Sequence, residues 1–377
     1  MIFSLQKKDI ADKLQHLLNV VSSKTNMLVL SNFRLDADAT SSTLTITATD
    51  LNITTIVKIS ANVIENGSVL VSAKRLSEIV NSLDDANINF SIKDDYFYIE
   101  CENSSFKINH LEADLFPDIY LIENDNQYDI NALAFKKLIQ NTTFCVAPDA
   151  IQSICNGVYI KIEDNLITMA GTDTKRIGEA KLTTDFTVAE PYEIVVPPRA
   201  LSFIDKNINQ DADLIAIKYD DKKISFYLKN ILVISNKYEG KFPGYTVAFK
   251  NPPETTLMLD KNKLKDAIRR VALMSEDEDK LLKISMNKNY VLVETYVSEH
   301  GNAEVKIDGV SYDGEDAVFC LNSRLLSGLV NAIESEEVII KMRSNIEPIW
   351  LLNNADLGNL DIRFIVMPMR MDNRDRH

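Results

Sequence analysis

The sequence contains few of the residues from which reactive centres are usually built. Its 377 residues include four histidines, four cysteines and eleven glycines. The cysteines are scattered, without a Cys-x-x-Cys pair, which is typical of reduced, mostly buried thiols. No cluster has metal-ligand spacing, and there is no glycine-rich phosphate loop or Ser/His/Asp set. We therefore expect no metal, no cofactor and no catalytic residue.

Long apolar runs are also absent. No stretch is long enough to cross a bilayer, which argues against a membrane partner. The first eight residues, MIFSLQKK, lack the basic-then-apolar order of a signal peptide, so we expect a cytoplasmic protein. A chain of 377 residues exceeds a single core and indicates two or three domains.

An internal repeat organises the chain. Short apolar strands at the start of each copy lead into helix-period segments, in which Ile10, Phe135 and Leu264 occupy corresponding positions. A second strand and helix follow, with Lys74, Arg199 and Arg324 spaced 125 and 125 residues apart. Hairpin patterns close each copy. We predict three α+β domains, each with two helices and antiparallel sheets, at residues 1–125, 126–254 and 255–377.

Charge is divided unevenly between the predicted helices and the rest of the chain. The net charge is −14, yet the six helical segments drawn at residues 7–20, 73–83, 131–144, 198–207, 261–275 and 323–333 sum to +10, so the remainder carries −24. Lysines are common on any exposed helix face. If the six helices share one surface, however, that surface is basic, and a basic surface binds phosphates without reading sequence.

The last strand ends in an unusual way. The residues Ile365-Val366-Met367-Pro368-Met369-Arg370 follow an apolar-alternating run, and proline belongs at a strand end or a sheet edge. The stretch could be a core strand that happens to end in proline. Because methionine adapts to varied apolar partners, it also fits the wall of an open groove.

Several motifs at matching positions resemble the bacterial DNA sliding clamp, the beta subunit of DNA polymerase III, along essentially the full chain. They are the three-fold repeat and the segments Asn156-Gly157, Thr172-Asp173-Thr174-Lys175-Arg176, Lys241-Phe242-Pro243-Gly244-Tyr245 and Val366-Met367-Pro368-Met369-Arg370. The resemblance implies a head-to-tail homodimeric ring that has its helices around a central pore and its sheets outside. It implies a processivity factor that encircles and slides on duplex DNA without sequence specificity.

The resemblance also implies partners and sites. The partners are the replicative DNA polymerase catalytic subunit, an ATP-dependent clamp loader, and other polymerases and repair proteins that carry clamp-binding peptides. Their peptides would enter a groove between the second and third domains. By matching position it comprises Cys155, Thr172, Thr174, Lys175, Arg176, Ile177, Pro243, Val247, Ile365, Val366, Met367, Pro368, Met369 and Arg370.

For duplex DNA and for the dimer, matching positions give two further sets. The DNA-facing residues would be Lys24, Lys74, Lys137, Arg199, Arg269 and Arg324. The dimer seam would join Phe106 and Ile108, on an edge strand of the first domain, to Leu273 and Met274 after a helix of the third. Four features depart from the family pattern: Thr174 stands where several clamps have glycine, Lys175 where they have histidine, Cys155 where leucine is common, and a tail of residues 371–377 runs past the usual end. These departures bear on the peptide preference.

Two other functions remain open from the sequence. A scaffold of the same fold could bind peptides without enclosing DNA. An enzyme could use Asp173 beside Arg176, although Asp173 is better explained as a turn-stabilising residue because no nucleophile and base have suitable spacing.

Overall fold

The structure is a computed structural model that describes residues 1–21, 27–123, 126–147, 154–208, 214–275, 280–296 and 301–370. Six α-helices lie in these ranges, and each falls within or matches a predicted helical segment. Their bounds are α1 Lys7–Leu18, α2 Ala73–Ser82, α3 Ala132–Thr142, α4 Pro198–Asn207, α5 Lys261–Val271 and α6 Ser323–Ala332.

The strands follow the repeated order of the sequence: one strand, a helix, several strands, a second helix and a closing three-stranded hairpin set. In the first repeat they are β1 Ile2–Gln6, β2 Asn32–Asp38, β3 Thr43–Thr49, β4 Ile53–Ser60, β5 Asn62–Glu65, β6 Gly67–Ser72, β7 Asn87–Lys93, β8 Tyr96–Cys101 and β9 Ser104–Leu111. In the second they are β10 Tyr128–Asn131, β11 Val158–Glu163, β12 Leu166–Thr172, β13 Arg176–Thr183, β14 Tyr192–Val196, β15 Leu214–Tyr219, β16 Lys223–Leu228 and β17 Ile231–Asn236. In the third they are β18 Thr255–Asp260, β19 Leu281–Met286, β20 Tyr290–Thr295, β21 Glu304–Asp308, β22 Ser311–Asp313, β23 Ala317–Asn322, β24 Glu337–Met342, β25 Ile349–Asn353 and β26 Leu360–Val366.

The chain divides into two compact units. The first unit comprises Met1–Lys136 and Val196–Tyr238, and the second comprises Lys137–Val195 and Glu239–His377. The first contains a sheet of thirteen strands, in the order β10-β15-β16-β17-β4-β3-β2-β6-β9-β8-β7-β1-β5. The second contains a nine-stranded sheet, β14-β11-β12-β13-β26-β25-β24-β18-β22, and a four-stranded sheet, β21-β20-β19-β23. The described strand pairs are antiparallel, as their short connections predict.

Neighbouring repeats are joined through strands that occupy equivalent places. In the first unit β4 pairs with β17, the last strand of the second repeat. In the second unit β13 pairs with β26, the last strand of the third. Each sheet therefore continues from one repeat into the next through backbone hydrogen bonds, which do not depend on the side chains.

Local sequence explains the helices. Apolar residues recur at helical spacing, so that in α5 the side chains of Leu264, Ile268 and Val271 are buried. Asp260 caps the start of α5 by accepting a hydrogen bond from the Lys263 N–H at 2.8 Å. In α4 proline occupies the first turn, where its missing N–H costs nothing.

One lysine in the first helix of each repeat has a structural task. Its ammonium donates to the free carbonyls at the C-terminal end of that repeat's second helix, which satisfies orphan acceptors and complements the helix dipole. These pairs are Lys7 with Asn81 and Leu83, Lys136 with Asp205 and Ile208, and Lys261 with Ile333. Three of the cations that make up the +10 helix charge are thus committed to holding helices together.

Candidate binding groove and helix surfaces

A pocket of about 250 Å³ opens in the second unit beside the junction of β13 and β26. Its lining is mostly apolar, with the turn between β12 and β13 on one side and the 3₁₀ turn Tyr245–Phe249 on another. The lining residues are Thr172, Thr174, Lys175, Arg176, Ile177, Pro243, Gly244, Tyr245, Ala248, Ile365 and Met367. We call this pocket the groove.

Eight of the fourteen predicted groove residues line it, namely Thr172, Thr174, Lys175, Arg176, Ile177, Pro243, Ile365 and Met367. The others lie elsewhere. Cys155 and Val366 are buried in the core, whereas Val247 is 68% exposed and lies outside the lining. Pro368, Met369 and Arg370 continue the chain beyond the groove wall.

The turn that forms one wall is held by its own side chains. The Asp173 carboxylate accepts hydrogen bonds from the N–H groups of Lys175 and Arg176, at 3.0 and 2.9 Å. The Thr172 hydroxyl accepts from the Thr174 N–H at 3.0 Å and donates to the Arg176 carbonyl at 2.7 Å. Thr174 itself adopts a φ of +71°, a left-handed conformation. Asp173 therefore stabilises the turn, which leaves no support for a catalytic role.

Arg176 is anchored behind the groove wall. Its guanidinium donates to the Asp173 carboxylate at 3.0 Å and to the carbonyl of Phe144 at 2.6 Å, and it lies over the Phe144 ring. Only 14% of the side chain is exposed. Because all of these partners belong to the protein, the charge of Arg176 is largely satisfied before any ligand arrives.

The closing residues of the chain are held in place from two sides. The Met367 N–H donates to the Lys175 carbonyl at 2.8 Å, and the Met369 N–H donates to the Cys320 carbonyl of β23 at the same distance. Pro368 lies between them, where no donor is needed. The Met367 side chain is thereby presented to the groove while remaining 38% exposed.

Sequence reasoning missed three lining residues: Gly244, Tyr245 and Ala248. They follow Pro243, and the only signal in the sequence is the family motif to which Gly244 and Tyr245 belong.

Tyr245 is part of an aromatic cluster, with ring centroids 5.8 Å from Phe242 and 6.1 Å from Tyr159. Its hydroxyl donates to the carboxylate of Glu179 at 3.0 Å. Burial, followed by the Glu179 charge, raises the pKa of Tyr245 far above its usual value, so the hydroxyl stays protonated.

The first unit repeats this arrangement at the junction of β4 and β17. Asp50 accepts from the N–H groups of Asn52 and Ile53, and Leu51 adopts a φ of +73°, within two degrees of the value at Thr174. A smaller pocket of about 140 Å³ lies beside it, lined by Thr49, Leu51, Asn52, Thr54, Pro117, Asp118, Ile119, Tyr120, Lys223, Ile234 and Asn236. Each pocket thus lies beside the same kind of turn, in which an aspartate accepts backbone hydrogen bonds and the next residue is left-handed. Of the two pockets, only the groove has a predominantly apolar lining.

The predicted DNA-facing residues lie on or beside helices, and most have an acidic neighbour. Lys74 lies 3.8 Å from Glu78, Lys137 2.8 Å from Glu334, Arg199 2.6 Å from Asp50 and Arg269 3.2 Å from Asp266. Arg324 is exposed and has no ion pair within the residues that the structure describes. Lys24 lies outside those residues. The ion pairs of Lys74 and Arg269 are well exposed on both sides and therefore weak, so a phosphate can compete for those two cations. The partner of Arg199 differs, because the Asp50 side chain is only 6% exposed.

The predicted seam residues are only partly covered. Phe106 and Ile108 lie half-buried on β9, which pairs along its length with β8. The expectation of an edge strand needs refinement, because β6 pairs with β9 at Leu111 and His110 alone. The part of β9 that carries Phe106 and Ile108 is an open edge within the described strands. In the other unit Leu273 is 79% exposed just after α5, and Met274 is half-buried.

The remaining chemistry-bearing residues that the structure describes form no second site. All four cysteines are buried and none forms a disulfide, and burial raises the pKa of Cys145 to about 12, which keeps its thiol protonated at neutral pH. Over the described ranges, no group of three or more His, Cys, Asp or Glu side chains is placed to hold a metal ion. Within the same ranges, no helix has the length and apolar character needed to span a bilayer.

Three family profiles match the chain in consecutive order. Residues 1–120 match the N-terminal domain of the DNA polymerase III beta subunit, residues 129–244 its central domain and residues 249–370 its C-terminal domain. Together they cover nearly the whole chain.

Individual relatives agree with these profiles. The chain is 24% identical over 357 residues to the beta sliding clamp of Synechococcus elongatus, covering 93% of this chain and 94% of that protein. It is 23% identical over 365 residues to the beta sliding clamp of Bacillus subtilis, covering 94% and 97%. The DNA polymerase sliding clamp structure from Bacillus subtilis superposes with a TM-score of 0.90 at 22% identity, over 99% of this chain and all of that one. The Pseudomonas aeruginosa sliding clamp solved with griselimycin bound gives 0.90 at 21%, over 98% and 100%.

Proposed function

This chain belongs to the DNA polymerase III beta subunit family, and from that premise we propose that two copies close head to tail into a ring around duplex DNA. As a member of the family, it is a non-catalytic sliding clamp that makes a DNA polymerase processive. Tethering by a closed ring needs no active site and no cofactor. It acts in the bacterial cytoplasm, and we extend the proposal to association with the nucleoid during replication.

The observation that carries the proposal is an unused pair of strand edges. Each repeat joins the next by pairing β4 with β17 and β13 with β26. By position in the repeat, the third such pair would be β21 with β9. Among the described strands of one chain, β21 is an edge of the four-stranded sheet and most of β9 has an open edge. Pairing β21 of one copy with β9 of a second satisfies both edges, and two such junctions close a ring of six repeats.

The side chains near these edges support the same junction. Phe106 and Ile108 are on β9, and the 79% exposed Leu273 follows α5 in the repeat that contains β21. An open strand edge beside exposed apolar side chains is a hazard for a monomer, because it invites uncontrolled pairing. A defined partner removes that hazard and adds apolar burial to the backbone hydrogen bonds.

Duplex DNA would be held by the helices. They carry +10 while the rest of the chain carries −24, so phosphates are attracted to the helices and repelled elsewhere. Side chains such as Lys74 and Arg324, which are long and exposed, can follow phosphates without reading bases. This favours sliding without sequence preference.

The groove would receive the partners. Its apolar walls, with few free polar groups, suit a short linear peptide that inserts leucine or aromatic anchors. Lys175 is an exposed cation at its rim. We assign to the groove the peptides of the replicative polymerase catalytic subunit, the ATP-dependent clamp loader, and other polymerases and repair proteins.

The test of the ring is topological. The protein is loaded by the ATP-dependent clamp loader onto nicked circular DNA, and the complex is washed in high salt. We expect retention on the circle, because a closed ring does not rely on ionic contacts, and release once a restriction enzyme makes the DNA linear. The measurement is the amount of clamp that co-elutes with DNA on gel filtration before and after cutting.

A seam variant provides the control. Leu273→Asp places a charge in the proposed seam at a position that is exposed in the single chain, so we expect a folded monomer that is not retained on the circle. A scaffold that binds peptides without enclosing DNA would wash off circular and linear DNA alike. That result would contradict the ring for the unmodified protein.

Salt dependence should separate DNA-facing cations from structural ones. The logarithm of the DNA association constant falls linearly as the logarithm of the salt concentration rises. Arg324→Ala should make this slope less steep by about 1 for each phosphate that the arginine neutralises. Lys261→Met should leave the slope unchanged, because the Lys261 ammonium already donates to the Ile333 carbonyl at 2.9 Å. Fluorescence anisotropy of a labelled duplex across a salt series measures both. Equal slopes for Arg324→Ala and the unmodified protein would show that Arg324 does not contact the DNA phosphates.

A further inference from the structure

One wall of the groove is attached to the rest of the second unit mainly through side chains. This wall is the 3₁₀ turn Tyr245–Phe249, in which no residue is fully buried and Tyr245 is half-buried. The backbone hydrogen bonds at its two ends are local, from Tyr245 to Pro243 and from Lys250 to Val247. Its position against the sheet therefore depends on what its side chains bind.

The side-chain attachments are of two kinds. Rings pack against rings, with Phe249 at 5.5 Å from Trp350 and Tyr245 at 6.1 Å from Tyr159. Such contacts limit how far the wall can move but allow it to slide. The directional attachment is the hydrogen bond of 3.0 Å from the Tyr245 hydroxyl to the Glu179 carboxylate.

Glu179 is suited to act as a fixed point. It is 2% exposed on β13, in the middle of the sheet, with Ala170 and Arg363 opposite it on the two neighbouring strands. The Lys181 ammonium lies 3.1 Å from its second oxygen, in ion-pair contact without hydrogen-bond geometry. A buried carboxylate is tolerated only when its partners are in place, so it holds the Tyr245 hydroxyl strongly.

The alternation of the strand connects this fixed point to the groove. Ile177 and Glu179 are two residues apart on β13 and so face the same side of the sheet. Ile177 lines the groove together with Ile365, which is its partner on β26. Glu179 thus lies one step behind the groove floor, while the ring of Tyr245 forms the wall and its hydroxyl reaches back.

We infer that Glu179 is a positioning residue for ligand binding: through Tyr245 it holds the groove wall open at one width before a peptide arrives. The inference rests on the proposed function of the groove. A wall that is already in place spares the ligand the ordering of that segment on binding. Loss of the hydrogen bond would lower the fraction of molecules whose groove is competent to bind, and the apparent affinity would fall by that fraction.

The experiment uses the full chain and a fluorescein-labelled peptide with leucine and phenylalanine anchors beside one aspartate. Tyr245→Phe keeps the ring and removes only the hydroxyl. We expect its Kd to rise about tenfold. The change should lie mainly in the association rate, because fewer molecules are competent. Glu179→Gln keeps an acceptor oxygen and should restore part of the affinity relative to Glu179→Leu.

Tyr159→Phe is the matched control. It removes a hydroxyl from the same aromatic cluster, but Tyr159 interacts with Glu193 and does not line the groove, so its Kd should be unchanged. An unchanged Kd in Tyr245→Phe would overturn the inference. A loss confined to the dissociation rate would also overturn it, because the hydroxyl would then contact the peptide directly. Failure of the unmodified protein to bind the peptide would count against the proposed function of the groove instead.

Discussion

Arg176→Met is expected to lower the free energy of unfolding of the second unit by about 3 kcal/mol. The substitution removes the donor to the Phe144 carbonyl and the cation beside Asp173, and both of these partners are poorly exposed. The Phe144 carbonyl and one oxygen of the Asp173 carboxylate lose the Arg176 donor, while the other Asp173 oxygen keeps its two backbone N–H donors. This loss costs more than removing one exposed ion pair. The methionine side chain fills much of the same volume, so cavity formation is a minor part of the effect.

The chain offers a specific probe for this measurement. Trp350 is its single tryptophan and lies buried on β25 in the second unit, so its fluorescence during urea denaturation follows that unit. Arg269→Met is the matched control, because the ion pair of Arg269 with Asp266 is well exposed on both sides. We expect a change below about 0.5 kcal/mol there. A similarly small change for Arg176→Met would mean that its hydrogen bonds are not what holds the turn.

Much of the fold could be predicted from the sequence because its three repeats carry the same periodic signals. The helix starts at Lys7, Ala73, Pro198, Lys261 and Ser323 coincide with predicted boundaries. Apolar spacing and turn residues are local features that a sequence shows directly. Because the same pattern occurs in three repeats, each helix or strand predicted in one repeat could be compared with its counterparts in the other two. The predicted boundaries of the three domains remain a prediction, since the structure divides by compactness into two units and cuts the middle repeat.

Ion pairs between residues that are far apart in the sequence could not be predicted from it. Arg199 meets Asp50 across 149 residues of sequence, and Lys137 meets Glu334 across 197. No local pattern distinguishes these cations from Lys261, which caps a helix, or from Arg324, which lacks an ion pair among the described residues. The charge count was therefore correct for the helices but did not say which charges are available to DNA.

The groove likewise combines features that the sequence predicts with features that only the fold shows. The turn at Asp173 and the closing strand were identified from motifs, and eight predicted residues do line one pocket. Glu179 was missed because a glutamate in an alternating strand is normally read as solvent-facing. Only the fold shows that the segment after Pro243 covers it and places Tyr245 within hydrogen-bond distance. The device that we infer to set the groove width thus arises from the packing of a loop on a sheet.

Ending the chain after Val366 is expected to weaken peptide binding by about thirtyfold or more while leaving the dimer intact. The truncation removes the Met367 side chain from the groove wall together with its backbone bond to Lys175. It leaves β26 complete, because that strand ends at Val366, so the buried Ile365 and the pairing with β13 are retained. The proposed seam uses β9 and β21, which the truncation does not touch.

Two variants isolate the cause of this effect. Ending the chain after Arg370 keeps every residue that lines the groove, so the peptide affinity should match that of the full chain. Met367→Ala keeps the backbone bonds to Lys175 and, through Met369, to Cys320, so any weakening that it shows belongs to the side chain alone. Peptide titration and solution mass are measured for all three proteins. If the chain that ends after Val366 binds as tightly as the full chain, Met367 is not part of the binding wall, and the closing stretch serves only to join β26 to β23.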